Sequence, residues 1–194
     1  MLRILTWILP ALGFLTCFGT TASADDKKAE EKKGTVVTID GLKSAVPGDW
    51  KTEEPTSRMR AYQFKLPRAA DDKYDGEMAI FFFGPGQGGS AEENIKRWKG
   101  FFLPPQGKNI DDVAKVSKLK VGAVDVHYLD VQGTYKFKER PFDPNAKEEL
   151  RPDWRMLGVV FESKNGPYFM RLAGPAKTVA HHKKGFDDWL QGLK

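Results

Sequence analysis

Cysteine is the residue type that this chain most nearly lacks. Its 194 residues include one cysteine, Cys17, and three histidines. Cys17 falls in an apolar N-terminal run that we expect to be removed, so the remaining chain has no disulfide, no thiol nucleophile and no cysteine-ligated metal. Its stability must therefore come from a hydrophobic core, and the chain is long enough to enclose one.

An excess of one charge sign over any long stretch is also missing. The chain carries 31 Lys and Arg against 26 Asp and Glu, a net charge of +5. Basic and acidic residues are mixed in stretches such as 27–33 and 147–150. Because no stretch combines Lys and Arg with stacking aromatics, we expect no nucleic-acid partner.

The N-terminal residues 1–24 have the pattern of a secretory signal peptide. Arg3 precedes an apolar run over residues 4–18, and Ala22-Ser23-Ala24 supplies small residues before a cut ahead of Asp25. The run is short for a membrane span, and Thr16 fits a lipoprotein cleavage site poorly. We expect an exported protein, periplasmic or extracellular, with no stable membrane anchor after cleavage. Residues 25–33 then form a charged, disordered leader, and residues 34–194 a single domain.

The stretch from Gly76 to Phe102 organises that domain. It predicts a buried strand, a glycine-rich turn and an amphipathic helix. Ser90 and Glu93 have the spacing of a capping box at the start of the helix. The apolar residues of the helix recur on one face: Ala91, Ile95, Trp98 and Phe102.

Strand patterns dominate the rest of the chain. Further strands are predicted at 35–39, 42–46, 59–66, 113–119, 123–131, 133–137, 155–162 and 167–172. The last two form a hairpin across Lys164-Asn165-Gly166. Residues 141–153 are predicted to be a long polar connection, and a helix beginning at Pro175 ends the chain. This order indicates an α+β domain with a mostly antiparallel sheet and a helix on each side.

Several segments resemble a known family of folds. They are Trp50, AYQFKLP at 61–67, AIFFFGPGQGGSAEENIKRW at 79–98, GTY at 133–135 and MLGVVFESKNGPYFMRLAGPAKTV at 156–179. Together they resemble a group of small secreted bacterial proteins of unknown function with a PsbP-like fold. The resemblance implies an α/β/α sandwich. Relatives of that fold include binding and assembly factors, so it implies no particular reaction.

The glycine-rich turn is the first candidate binding element. Residues 84–89 fit G-x-G-x-x-G between a strand and a helix, where backbone N–H groups could hold a phosphate or nucleotide. Against this, the elements that follow do not form a βαβ unit. The candidate ligand-binding residues are Gly86, Gly88, Gly89, Ser90, Arg97 and His127.

A hydrolase is the second alternative, with Ser90 as nucleophile and His127 as base. The sequence around Ser90 has Glu92 where a nucleophile elbow needs glycine. His181 and His182 are neighbours on the last helix and diverge by about 100°, so we expect no metal site and no cofactor. The function favoured by the sequence is a non-enzymatic binding or assembly protein, monomeric, whose partner is an unknown protein or small ligand.

Overall fold

The computed structural model describes residues 34–139, 143 and 145–194. The predicted signal peptide and leader lie outside these residues. The strands are β1 Val36–Ile39, β2 Leu42–Ala45, β3 Lys51–Glu53, β4 Arg60–Leu66, β5 Gly76–Phe82, β6 Phe102–Leu103, β7 Lys115–Val121, β8 Val124–Lys138, β9 Glu148–Ser163 and β10 Gly166–Pro175. The helices are α1 Ala91–Lys99, α2 Ile110–Val113 and α3 Ala176–Gln191.

Eight of the described strands form one antiparallel sheet. Its order is β3-β4-β5-β10-β9-β8-β6, with β7 also paired to β8, and β1 and β2 form a separate hairpin. The predicted hairpin is confirmed, because β9 and β10 pair directly from Ser163 and Gly166. The α+β class with a mostly antiparallel sheet, predicted from the sequence, is therefore confirmed.

The sheet is covered on both faces, and each face has its own apolar cluster. On one face, α3 packs with the β1–β2 hairpin over residues that include Phe64, Met78 and Phe161. On the other, α1 packs over residues that include Leu129, Val160 and Phe169. The successive residues Val160 and Phe161 belong to opposite clusters because side chains alternate along a strand.

Helix α1 forms as the sequence predicts. Ser90 is its N-cap, and its hydroxyl accepts from the Glu93 N–H at 3.2 Å while the Glu93 carboxylate accepts from the Ser90 N–H at 2.8 Å. This is the predicted capping box. All four residues of the predicted apolar face are buried, and Trp98 is only 2% exposed. The helix ends at Lys99, however, and Phe102 belongs to β6.

Other boundaries were predicted wrongly. The strands predicted at 123–131 and 133–137 are one strand, β8, and β9 begins at Glu148 and not near 155. The predicted connection over 141–153 is therefore wrong from Glu148 onward, and its residues 141, 142 and 144 lie outside the described part of the chain. The strand predicted at 113–119 is β7, but it begins at Lys115, because Val113 is the last residue of α2. Helix α3 begins at Ala176, one residue later than predicted, and Pro175 is its N-cap.

Strand β7 is an edge strand of the sheet, because among the described strands it pairs with β8 alone. Most of its side chains are exposed, and three of its seven residues are lysines. No helix in the described part of the chain is long and apolar enough to cross a membrane.

Candidate functional site

Arg171 lies near the middle of the sheet, on the face that carries α1. It belongs to β10, and its backbone pairs with Ala79 of β5 and Gly158 of β9. Trp98 of α1 covers Gly158, so Arg171 lies beside the helix. Arg171 is a charged residue in an otherwise apolar part of β10, and the residues before and after it, Met170 and Leu172, are fully buried.

The guanidinium of Arg171 is held by aromatic rings. Its central carbon lies 4.8 Å from the centre of the Phe81 ring and 5.8 Å from that of Phe101. Within the described residues, Arg171 has no side-chain hydrogen bond and no ion pair. Burial lowers the pKa of Arg171 from its ordinary value, yet the residue retains some exposure. Arg171 is thus a half-buried cation without an anionic partner in the described structure.

Tyr135 is the second polar group at this place. Its ring stacks on Trp154 at 5.3 Å and contacts Phe102 at 5.1 Å between ring centres. Burial raises the pKa of the Tyr135 phenol, and the positive charge of Arg171 offsets part of that rise. Its hydroxyl makes no hydrogen bond to another described residue. A phenol and a guanidinium, both half-buried and both with unused donors, therefore lie near each other.

The neighbouring arginines differ from Arg171 because their charges have partners. Arg60 pairs with Glu77 at 3.0 Å and donates to the Gln63 side chain at 2.8 Å. Arg97 donates to the side chain of Asn94 one turn earlier in α1. We call Arg60, Arg97, Arg171, Phe81, Phe101 and Tyr135 the arginine–aromatic surface. Two carboxylates, Glu77 and Glu93, lie near its three cations, which leaves the surface with an excess of positive charge.

Arg97 is the only predicted ligand-binding residue in this surface. Gly86, Gly88, Gly89 and Ser90 lie instead in the turn before α1, and His127 lies on β8 opposite Val160. The sequence did not indicate Arg171, Tyr135, Phe81 or Phe101 as site residues. One signal was available for Arg171, the single charge within the apolar run YFMRLAG at 168–174.

The glycine-rich turn has a structural role in this geometry. Its four glycines all adopt positive φ angles. A Cβ on Gly88 would lie 2.4 Å from the Phe169 ring, so only glycine lets the turn lie on that ring. The carboxylate of Glu93 occupies the N-terminus of α1, where a phosphate would have to bind. The backbone N–H groups of Ser90 and Glu93, which a phosphate at this helix end would need, are thus bonded within the protein.

The geometry does not favour the Ser90–His127 pair either. The Ser90 hydroxyl is engaged as the helix cap. No hydrogen bond joins it to His127 in the described structure. His127 is half-buried on β8, between Lys118 of β7 and Val160 of β9.

A polar network on the opposite face is fully paired. The Tyr128 hydroxyl donates to Asp187 at 2.8 Å, and Lys183 pairs with the same carboxylate at 2.5 Å. Burial, followed by the bond to Asp187, raises the pKa of Tyr128 well above its ordinary value. Arg155 makes a two-pronged pair with Asp130, at 2.8 and 2.6 Å. Each charge in this network therefore has a partner of the opposite sign.

The histidines of α3 meet a third group that the sequence did not indicate. Asp49, in the turn between β2 and β3, brings a carboxylate oxygen to within 4.8 Å of ring nitrogens of His181 and His182. The fold thus places an acid close to both histidines, although it lies more than 130 positions away in the sequence.

Comparison with known proteins shows that the chain resembles solved structures in its fold. No model of a protein family and no curated protein matches the chain. Its structure is similar to cyanobacterial PsbP (CyanoP) from Synechocystis, with 12% identity, a TM-score of 0.49, and coverage of 91% of this chain and 99% of that one. It is also similar to a protein of unknown function from Pseudomonas aeruginosa, with 12% identity, a TM-score of 0.45, and coverage of 82% and 95%. The predicted PsbP-like resemblance is confirmed for the fold, and neither similarity bears on function.

Proposed function

We propose that this chain is an exported, non-enzymatic binding protein, and that it binds a small ligand carrying an oxyanion, a carboxylate or a phosphate, at the arginine–aromatic surface. The observation that carries the proposal is the half-buried guanidinium of Arg171, which has no hydrogen bond or ion pair among the described residues. Its export remains the prediction made from residues 1–24.

An oxyanion suits this surface because of the geometry of guanidinium. Its N–H donors form a planar fork that matches two oxygens of a carboxylate or phosphate. Partial burial reduces competition from water, so a charge-assisted hydrogen bond there is stronger than one on an open surface. The hydroxyl of Tyr135 offers a further donor. Arg60 and Arg97 add positive charge, which favours the approach of an anion.

The aromatic rings favour an organic ligand over a bare ion. Phe81 and Phe101 lie against the guanidinium, and Phe83, which is 36% exposed, lies 6.2 Å from Phe81 between ring centres. Pockets that bind small molecules combine apolar walls with a few polar groups that fix orientation. The proposal is binding and not catalysis, because the Ser90 hydroxyl serves as a helix cap.

Titration with simple oxyanions tests the proposal. Phenyl phosphate and benzoate are titrated into the protein by calorimetry, and the same titrations are made on Arg171→Gln and Lys118→Gln. Lys118→Gln removes the same charge from an exposed residue of β7, roughly three strand spacings, or about 14 Å, across the sheet. We expect saturable binding in the parent and in Lys118→Gln, and at least a tenfold loss in Arg171→Gln.

Two further variants separate recognition from folding. Arg171→Lys keeps the charge but loses the planar fork, and Tyr135→Phe keeps the ring but loses the hydroxyl donor. Both should weaken binding while the far-UV circular dichroism stays that of the parent. Absence of saturable binding to either probe, or equal binding in Arg171→Gln and the parent, would refute the assignment.

A further inference from the structure

Asp49, His181 and His182 offer the donor set of a transition-metal site. Their candidate ligand atoms all lie within 4.8 Å of one another. The carboxylate comes from the turn after β2 and the two imidazoles from α3, so the set is assembled by the tertiary fold. Two imidazoles and one carboxylate form a donor set that catalytic and other open zinc sites use.

Of the three residues, His182 is the one whose ring is already oriented by a hydrogen bond to the backbone. Its Nε2 lies 2.9 Å from the carbonyl oxygen of Pro67, to which an Nε2–H donates. That tautomer leaves a lone pair on Nδ1, which accepts from the Trp50 indole N–H at 3.2 Å and faces Asp49 Oδ2 at 3.6 Å. Metal-binding histidines commonly have one ring nitrogen bonded to a backbone carbonyl in this way. In His182 the other nitrogen can ligate once it gives up the bond from the Trp50 N–H.

The other two side chains leave the site open to solution. His182 is buried, whereas Asp49 and His181 are exposed and can adjust their side chains. The rings of His181 and His182 stand edge to face with their centres 4.9 Å apart. Ligands at about 2.0–2.1 Å from a tetrahedral zinc lie roughly 3.4 Å from one another. The three donors, which lie within 4.8 Å of one another, must therefore draw together by up to roughly 1.4 Å.

We infer that these three residues bind one divalent transition-metal ion, Zn²⁺ in preference to Mg²⁺ or Ca²⁺, with water completing the coordination. Imidazole nitrogen selects zinc over the hard cations, which take oxygen ligands. On binding, Nδ1 of His182 exchanges the Trp50 N–H for the metal. The ion would tie the turn that contains Asp49 to α3. This inference is independent of the proposed oxyanion site, which lies on the other face of the sheet.

Zinc titration of the untagged chain tests this inference. Zn²⁺ is added in a buffer that does not chelate metal, and binding is followed by calorimetry and by thermal unfolding. We expect one ion per chain and a raised Tm in the parent and in His127→Ala, which removes the only other histidine. Asp49→Asn and His181→Ala alter exposed residues, so both should fold normally and bind at least tenfold more weakly.

Trp50→Phe identifies the third ligand. Phenylalanine has no N–H to compete for Nδ1 of His182, so this variant should bind Zn²⁺ more tightly than the parent. Unchanged affinity in Trp50→Phe would refute ligation by Nδ1. The whole site is refuted if the parent binds no zinc below millimolar concentration, or if His181→Ala binds as well as the parent.

Discussion

Gly158 leaves the space that the ring of Trp98 fills. A Cβ placed on Gly158 would lie 2.6 Å from Cε3 and 2.8 Å from Cζ3 of Trp98. Trp98 is the one aromatic residue of α1, and Gly158 lies on β9, an interior strand of the sheet. Helix α1 has only nine residues, and a helix this short depends on its packing to persist in water. The contact between these two residues therefore fixes how closely α1 can approach the sheet.

Filling that space should destabilise the protein. Gly158→Ala forces a methyl group against a ring that is only 2% exposed, and such overpacking costs about 1–3 kcal/mol. Trp98→Ala leaves a cavity and should cost about 3–5 kcal/mol. Chemical denaturation measures both, with Lys96→Ala on the exposed side of the same helix as the control.

Combining the two changes gives a sharper result. In the double variant the Gly158 methyl group enters space that the truncated Trp98 has vacated, so the two costs should not add. A double variant as unstable as the sum of the single ones would show that Trp98 does not pack on Gly158.

Ser90 should contribute to stability and not to catalysis. Ser90→Ala removes the acceptor for the Glu93 N–H, and loss of such a cap costs about 1 kcal/mol. A fluorophosphonate probe, which labels activated serines, should leave the parent protein unmodified. Stoichiometric labelling at Ser90 would restore the hydrolase reading, and a Ser90→Ala variant as stable as the parent would contradict the cap.

The capping box should also depend on pH. The Ser90 N–H, followed by its hydroxyl, lowers the pKa of Glu93 from its ordinary value of 4.5. Because the folded-state pKa is lowered, this contribution to stability is full above pH 4.5 and is lost as the pH falls through the lowered value. Glu93→Gln should thus be less stable than the parent at pH 6, with the difference shrinking towards pH 3. A difference that grows on acidification would contradict the assignment.

Export is tested separately from binding. If residues 1–24 are a signal peptide, the protein recovered from the periplasm or the medium should begin at or near Asp25. N-terminal sequencing or intact-mass measurement decides this. A product that retains Met1, or that carries lipid on Cys17, would contradict the prediction.

Helix α1 was predictable because the information that forms it is local. Ser90 and Glu93 are three residues apart, and the apolar face repeats within one short segment. Gly133 shows where prediction from neighbouring residues alone fails. A second strand was predicted to begin at this residue, but Gly133 lies within the single strand β8. A Cβ at Gly133 would lie 2.5 Å from the carbonyl oxygen of Leu103 in β6. The glycine reflects the close approach of another strand, which local sequence does not reveal.

The arginine–aromatic surface was not predictable for the same reason. Arg171 and Tyr135 are separated by 36 positions, and their proximity depends on how β8, β9 and β10 align. A shift of one residue in either pairing would move a side chain to the opposite face. The set formed by Asp49 with His181 and His182 likewise depends on where the turn after β2 packs on α3.

The lysines of β7 have a consequence for self-association in a crowded compartment. A bordering strand presents backbone groups to which a strand of another molecule can add, the first step towards fibrils. Lys115 and Lys118 put positive charges along this border, whereas Lys120 pairs with Asp125 at 2.7 Å. A second copy would bring the charges of Lys115 and Lys118 against the same charges. Repulsion thus keeps the sheet from extending into neighbouring molecules, and acetylation or succinylation of these amines would remove that protection.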